Sequence, residues 1–268
     1  MSITFSTAWY VFKAKFDVSM YHLWIDHMLS NVREYNLVIY TDEHGYPYIE
    51  KYVGNPKIKV ILKPYTEFYT YKYKDDWISN HKKNVLLRDR VDWKLNMLWS
   101  EKIHFVYQTA QERYFDSDFF GWCDIGYFRG NPTDLSYDVL RKWPNPRKIE
   151  ELDKTRIYYA CVNNNMNYIA SLLSYINNKN SNGLPSIPIP PDQISIAGGF
   201  FVTHDSNLKW WRDTFDSKLA LYFNNDYLVK DDQIVIADCV FSNLHRFELV
   251  TEKNPEYDNW FLFQRYLL

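Results

Sequence analysis

The chain has 268 residues, with 31 Lys and Arg against 33 Asp and Glu, so its formal net charge at pH 7 is −2. Hydrophobic residues make up 46% and charged residues 24%, which excludes wholesale disorder. A near-neutral charge also argues against a nucleic-acid binder that depends on neutralising phosphates. Aromatic residues reach 19%, an excess that calls for a structural or functional explanation.

The cysteines and the terminus indicate the compartment. Cys123, Cys161 and Cys239 form neither a CxxC pair nor an even framework, so we expect buried free thiols instead of zinc ligands or disulfides. No basic and apolar leader is visible at the N-terminus, and no uncharged stretch approaches the roughly 20 residues that span a bilayer. We therefore expect a cytoplasmic protein without a transmembrane segment.

The first half of the chain alternates between strand-like and helix-like segments. Apolar and β-branched runs predict strands, and helical spacing of apolar residues predicts helices. The predicted strands are 3–12, 37–40, 57–62 and 119–126, and the predicted helices are 21–32 and 86–114. This β-α-β opening is typical of a parallel, doubly wound sheet.

The second half continues the pattern within the same domain. Strands are predicted at 156–162, 194–202 and 247–250, and helices through 208–215 and 233–239. Four prolines in 183–192 exclude regular structure there, and we interpret this stretch as a loop. The sequence thus predicts a single α/β domain with a mixed, mainly parallel sheet flanked by helices.

Asp124 is the strongest candidate for a functional residue. It ends an apolar strand, and in an open parallel sheet ligands bind beyond the carboxyl ends of the strands. A carboxylate held rigidly there suits metal or phosphate chemistry. However, an Asp placed before a glycine, here Gly126, also commonly caps a turn. The spacing leaves both interpretations open.

Two further features precede Asp124. Asp42 ends the second strand, where it would contact a nucleobase or form an Asx-turn before Gly45, and the pattern favours the turn. Arg90 and Lys94 have the i, i+4 spacing that places them on one helix face. That face would neutralise a diphosphate, although solvated basic faces are common.

The C-terminal half holds a second acidic candidate. Asp231 and Asp232 open a predicted helix, so they either cap it or include a general base poised by a neighbouring like charge. Gly198 and Gly199 lie in a predicted strand and allow the backbone to approach a ligand closely.

Imidazole ligands are the remaining metal candidates. His204 and His245 are each available to a divalent metal, although a lone histidine is more often structural. The chain lacks GxxxxGK[ST], GxGxxG, HExxH and GxSxG motifs, which argues against P-loop kinases, dinucleotide dehydrogenases, zincins and α/β-hydrolases.

Several of these segments together resemble a known family. They are LVIYTD at 37–42, the helix that contains Lys94, GWCDIGYFR at 121–129, AGGFF at 197–201 and DDQ at 231–233. These segments occur in the order expected for GT-A-fold nucleotide-sugar glycosyltransferases, and the chain resembles that family, particularly the HtrL/YibB-like group.

The resemblance implies a donor and a cofactor. Residues 1–130 would bind a UDP- or GDP-sugar, with Ala8, Trp9 and Asp42 facing the base and ribose. The family usually holds Mn²⁺ or Mg²⁺ through a DxD motif, in which Asp124 would be the metal ligand. Gly126 occupies the position of the second carboxylate, so the diphosphate, water and His245 would have to supply the remaining metal ligands.

The resemblance also implies how transfer would occur. Residues 131–268 would bind a glycan or glycoconjugate acceptor, Lys94 and Arg90 would neutralise the diphosphate, and Asp232 or Asp231 would act as the base of an inverting reaction. The sugar and acceptor side would be lined by Gly198, Gly199, Trp210 and Trp211.

The aromatic excess leaves two further hypotheses. Tyr71 and Tyr73 lie in an irregular aromatic stretch after Pro64, which we interpret as an acceptor-side or lid surface. The alternative to an enzyme is a non-catalytic carbohydrate- or protein-binding module, because Trp and Tyr suit stacking and interaction surfaces.

Overall fold

A seven-stranded mixed sheet forms the centre of the computed structural model, which describes residues 2–268. Its strands are β1 (Ile3–Trp9), β2 (Asn36–Thr41), β3 (Ile58–Leu62), β4 (Phe119–Cys123), β5 (Ile157–Cys161), β6 (Phe200–His204) and β7 (Phe247–Thr251). Their order is β3-β2-β1-β4-β6-β5-β7. Strand β6 is antiparallel to both neighbours and every other pair is parallel, so the predicted single α/β domain with a mainly parallel sheet is confirmed.

Helices cover both faces of the sheet. They are α1 (Val18–Leu29), α2 (Lys74–Lys83), α3 (Trp93–Glu112), α4 (Tyr137–Leu140), α5 (Pro146–Glu150), α6 (Met166–Asn177), α7 (Leu208–Asn224), α8 (Asp232–Ser242) and α9 (Phe263–Tyr266). Apolar side chains of α3, α6, α7 and α8 pack on one face. Those of α1, α4, α5 and α9 pack on the other.

Strand β2 shows why the apolar runs form strands here. Val38 and Tyr40 belong to the core on one face, whereas Leu37 and Ile39 belong to the core on the other. A strand buried on both faces requires an unbroken apolar run, which is what the sequence has.

Several predicted boundaries differ from the structure, and among the starts those of α3 and β6 differ most. Helix α3 begins at Trp93 instead of Leu86, because the Asp92 side chain accepts a hydrogen bond from the Lys94 amide (3.0 Å) and caps the helix there. Strand β6 begins at Phe200 instead of residue 194, and Ile196 forms only an isolated bridge with Cys161.

The aromatic excess lies mostly in these two cores. Trp77, Trp143 and Trp211 are among the largest fully buried side chains. Phe68 and Trp77 come from the stretch after Pro64, so part of that stretch belongs to the core and not to a surface.

The prediction of buried thiols without disulfides is confirmed, because Cys123, Cys161 and Cys239 are all buried and unpaired. Within residues 2–268, no helix combines the length and apolarity that a membrane span needs.

Candidate functional site

The candidate site lies at one edge of the sheet, which we call the carboxyl edge: β1, β2 and β4 end there and β6 begins there. Cys123 pairs with Phe200, and the Asp124 amide donates to the Gly199 carbonyl at 2.9 Å. A cavity of about 390 Å³ opens at this point. The topology thus brings together Asp124 and Gly199, which are far apart in the sequence.

The cavity is both acidic and aromatic, and it also contains cations. Its lining comprises Lys15, Phe16, Tyr21, Trp99, Lys102, Asp124, Gly126, Tyr127, Arg129, Gly198, Gly199, Asp231, Asp232, Gln233, Asp258, Trp260 and Phe261. Residues from both halves of the chain contribute, so the cavity does not belong to either half alone.

Lys102 lies at the centre of the polar group. It comes from α3, and its Nζ lies 2.8 Å from the Gly198 carbonyl, 3.1 Å from Asp124 Oδ1 and 3.2 Å from Asp232 Oδ2. Burial by itself would lower the pKa of Lys102, but the charges of Asp124 and Asp232 outweigh it and the pKa is raised. The ammonium therefore stays charged, although its side chain is only 8% exposed.

Asp232 is the acid of this cavity whose pKa is raised by its surroundings. Burial raises its pKa from the ordinary 3.8 to about 7, and the neighbouring Asp231 and Asp124 add to the effect, whereas Lys102 opposes it. A carboxyl with a pKa near neutrality can both accept and release a proton at physiological pH. Asp232 is therefore the residue of this cavity best suited to act as a base.

Asp124 does not use its side chain to cap the following turn. Its Oδ1 accepts hydrogen bonds from side chains, with Trp122 Nε1 at 2.6 Å and Lys102 close by. The turn is closed instead by the backbone, where the Tyr127 amide donates to the Asp124 carbonyl at 2.8 Å. The carboxylate is thereby held rigidly beside the cavity.

Asp231 also faces the cavity without capping a helix. It precedes α8 in an extended conformation and makes no side-chain cap hydrogen bond. Its Oδ2 lies 3.1 Å from Lys230 Nζ, and its buried Oδ1 has no hydrogen-bond partner within residues 2–268. A buried acceptor of this kind favours a ligand hydroxyl or amine as its partner.

Gly198 and Gly199 allow the two acids to approach the backbone. A Cβ at Gly198 would lie 2.8 Å from Asp232 Oδ2, and one at Gly199 would lie 3.1 Å from Asp124 Oδ2. Any larger residue at position 198 would displace the Asp232 carboxylate.

Arg129 contributes a second cation, held by aromatic rings. Its guanidinium lies over Trp24 (4.6 Å), Phe261 (5.0 Å) and Phe16 (5.2 Å), and its Nε donates to the Gly126 carbonyl at 3.0 Å. These contacts orient the guanidinium along the wall of the cavity.

A second cavity of about 100 Å³ adjoins the first. It shares Trp99, Lys102 and Asp124 with the larger one and extends to Ala8 and Trp9 at the end of β1. Of the predicted site residues, the two cavities thus bring together Ala8, Trp9, Asp124, Gly198, Gly199, Asp231 and Asp232.

Asp42 lies at the carboxyl edge but lines neither cavity. Its Oδ1 accepts hydrogen bonds from the amides of His44 (3.1 Å) and Gly45 (2.9 Å). It forms the Asx-turn that the sequence favours. Its Oδ1 is occupied by these two hydrogen bonds and is not available to a nucleobase.

The predicted basic helix face does not exist. Arg90 precedes α3 in an exposed turn, so it has no i, i+4 relation to Lys94 on that helix. The Lys94 ammonium lies over the rings of Tyr65 (4.8 Å) and Phe12 (5.8 Å) and lines neither cavity. The cation that α3 supplies to the site is Lys102, eight residues further along the helix.

The pairing of Asp124 and His245 on one metal ion is wrong. His245 precedes β7 and His204 ends β6, which runs in the opposite direction, so both lie at the edge opposite Asp124. His204 pairs with Phe119, at the far end of the strand that Asp124 follows.

The predicted acceptor residues also lie outside both cavities. Trp211 is fully buried, and its Nε1 donates to the Tyr159 hydroxyl, whereas Trp210 packs on Phe247 at the opposite edge. These two tryptophans are part of the core packing of α7.

Tyr71 and Tyr73 belong to a 3₁₀ turn, Tyr69–Tyr73, which packs beside α2 and α7. Tyr73 contacts the Phe223 ring and donates to Asp216 Oδ1 at 3.1 Å. The turn is held by the buried Glu101 carboxylate, which accepts from the Tyr69 and Thr70 amides. Tyr71 and Tyr73 are therefore not placed to contact a ligand of the cavity.

The residues present do not fit a protein-held Mn²⁺ or Mg²⁺. Such ions take several oxygen ligands, and residues 2–268 contain no group of three His, Cys, Asp or Glu side chains arranged to hold a metal. Asp124 Oδ1 is already occupied by Trp122 and Lys102, and the Lys102 ammonium lies between the carboxylates of Asp124 and Asp232.

Sequence reasoning missed the central cation and much of the aromatic wall: Lys102, Trp99, Arg129, Trp260 and Phe261. Lys102 did leave a signal, because it occupies an apolar position in the helical pattern that contains Leu95, Leu98 and Phe105. A lysine at a core-facing position is expected to have a buried partner. Trp260 and Phe261 left no comparable signal.

Comparison of the chain with models of known protein families gives no match, and comparison with curated proteins gives none either.

Proposed function

We propose that the protein is a glycosyltransferase that uses a nucleoside-diphosphate sugar, with UDP- and GDP-sugars as the candidate donors. The observation that carries this proposal is the cavity at the carboxyl edge, in which the acids Asp124 and Asp232 flank a buried lysine and aromatic rings form the walls. Flat aromatic rings suit a base and sugar rings, and cations suit a diphosphate. A GT-A arrangement of the sheet is part of this proposal.

The charges suggest how donor and acceptor would be divided between the residues. Lys102 and Arg129 would stabilise the departing diphosphate, since preorganised positive groups act most strongly in a partly dry site. The rings of Trp99 and Trp260 offer stacking surfaces for the base or the sugar. Ala8 and Trp9, in the adjoining cavity, would contact the nucleoside.

Asp232 would act as the base. In this step the acceptor hydroxyl oxygen bonds to the anomeric carbon, its proton passes to the Asp232 carboxylate, and the bond to the diphosphate breaks with its electron pair leaving on the phosphate oxygen. Direct displacement of this kind inverts the anomeric configuration. Asp231, whose Oδ1 is unpartnered, would orient the acceptor hydroxyl.

Calorimetry with UDP and GDP, followed by a donor-hydrolysis screen across UDP- and GDP-sugars, tests the proposal. We expect one of the nucleotides to bind and its sugar to be hydrolysed slowly in the absence of acceptor. If neither nucleotide binds, the proposal is wrong. A carbohydrate-binding module, which the aromatic wall also suits, would instead bind free glycans without any nucleotide.

Asp124→Asn should lower donor hydrolysis about 100-fold, because the Lys102 ammonium, which would stabilise the departing diphosphate, loses a carboxylate that fixes its position. Its melting temperature should fall only modestly, since an amide oxygen can still accept from Trp122 and Asp232 still pairs with Lys102. Asp118→Asn is the matched control, because Asp118 is exposed just before the other end of β4. A large loss of stability with unchanged hydrolysis would assign Asp124 a structural role.

A further inference from the structure

We propose that the Lys102 ammonium takes the place of a divalent metal ion in this site, so that the nucleoside diphosphate binds without Mn²⁺ or Mg²⁺. This inference rests on the proposed function and identifies the group that supplies its positive charge.

The surroundings of Lys102 are those of a bound cation. Three oxygens from three separate segments surround its Nζ at 2.8 to 3.2 Å: the Gly198 carbonyl, Asp124 Oδ1 and Asp232 Oδ2. Carboxylate and carbonyl oxygens are also the ligands that hard metal ions take. Because the ammonium already lies within reach of both carboxylates, a metal ion bridging them would have to overcome its charge and displace it.

The packing also explains why this turn offers only one carboxylate. A Cβ at Gly126 would lie 2.8 Å from Cε3 of Trp24, a ring that is itself buried. An aspartate at this position, as in a DxD motif, would require Trp24 to move. The turn therefore supplies Asp124 alone, and the second acid, Asp232, comes from the start of α8 and is bridged to Asp124 by Lys102.

The remaining charges of the cavity are mixed: Asp231 and Asp258 are further acids, and two further cations besides Lys102 are available to an anionic ligand. Lys15 and Arg129 line the same cavity as Lys102. The two carboxylates fix the ammonium in place before a ligand arrives, so little reorganisation is needed when a phosphate oxygen approaches. Lys102 lines the cavity, so a phosphate oxygen that enters it would share the ammonium with the three oxygens already around Nζ.

The test compares the wild-type protein in two conditions. UDP and GDP are titrated by calorimetry in buffer with EDTA and in buffer with Mn²⁺, and Mn²⁺ alone is titrated while the electron paramagnetic resonance signal of the free ion is followed. We expect the same nucleotide Kd in both buffers and no uptake of Mn²⁺ that depends on Asp124. Nucleotide binding only with Mn²⁺, or uptake of Mn²⁺ that Asp124→Asn abolishes, would overturn the inference and leave the proposed function standing.

Variants of α3 provide the second arm. Lys102→Met should weaken nucleotide binding in EDTA by about tenfold or more, the loss expected when a charged hydrogen-bond donor is removed. Lys94→Met, on the same helix but outside both cavities, should bind like the wild type. Unchanged binding by a folded Lys102→Met protein would overturn the inference.

Two other outcomes are also decisive. If neither nucleotide binds the wild type in either buffer, the proposed function fails and the inference fails with it. If Lys102→Met does not fold, the wild-type comparison of EDTA with Mn²⁺ still decides the question, because it needs no variant.

Discussion

Asp232 shows how burial sets the chemistry of a single side chain. Its pKa of about 7 lies well above the ordinary 3.8 because the carboxyl is removed from water, and Lys102 offsets only part of that effect. Between these two values the folded protein binds more protons than the unfolded chain. The contribution of this group to stability therefore falls as the pH rises from about 4 to 7.

The Asp232→Asn variant tests whether the contribution of Asp232 to stability falls as the pH rises. The free energy of unfolding of the variant, relative to wild type, should improve by roughly 2 kcal/mol between pH 5 and pH 8, because the amide carries no charge to bury. Urea unfolding at both pH values measures the difference. Burial also raises the pKa of Glu101 to about 7, but Glu101 is present in both proteins, so its contribution to the pH dependence cancels from the difference. A pH-independent difference would show that Asp232 titrates normally.

At the scale of elements, the site depends on how closely three segments approach each other. Helix α3 brings Lys102, the start of α8 brings Asp232, and the backbone just before β6 passes between them at Gly198. The glycine is needed for this approach, since a Cβ there would also lie 3.0 Å from Asp232 Oδ1.

Gly198→Ala should therefore destabilise the protein by about 1–3 kcal/mol, the usual cost of overpacking, and weaken nucleotide binding because the Asp232 carboxylate must shift. Thermal unfolding and nucleotide calorimetry measure the two effects. Gly54→Ala is the matched control, because a Cβ at Gly54 meets nothing within 4 Å. Equal nucleotide affinity in the two variants would contradict the claim that the site needs a glycine at position 198.

On the scale of the whole molecule, the two edges of the sheet have different roles. The carboxyl edge carries the cavity with its acids, cations and aromatic wall. The opposite edge carries Trp210 packed on Phe247 and covered by the Arg246 guanidinium, together with His204 and His245. Aromatic residues thus line the candidate cavity at one edge and contribute to packing at the other.

A pair of tryptophan variants separates these roles. Trp260→Ala should weaken nucleotide or sugar binding by about 1–3 kcal/mol, as expected when a stacking surface is removed. Trp210→Ala should lower the melting temperature and leave binding unchanged, since Trp210 lines neither cavity. Calorimetry and thermal unfolding on both proteins provide the comparison, and weaker binding by Trp210→Ala would place the ligand elsewhere.

The sequence by itself determined the α/β class and the seven strands, although α6 (Met166–Asn177) was not predicted. Unbroken apolar runs such as 37–40 indicated strands buried on both faces, and the placement of Asp124 directly after such a run predicted its position at the carboxyl edge. These inferences succeed because they depend on local periodicity and on the rule that parallel strands end at one edge. The prediction that Asp231 and Asp232 begin a helix succeeded for the same local reason.

Only the tertiary structure decided which polar residues meet. Sequence spacing offered Arg90, Lys94 and His245 as candidates beside more common structural roles. In the structure Asp92 caps α3 after Arg90, Lys94 lies over Tyr65 and Phe12, and His245 lies at the opposite edge. Lys102 and Asp232 are 130 positions apart, and β6, which runs in the reversed direction, brings Gly199 to Asp124 and Gly198 to Asp232 beside them. No local pattern encodes the reversed direction of β6, because strand order and direction are set by the packing of the whole sheet and the cores on its two faces.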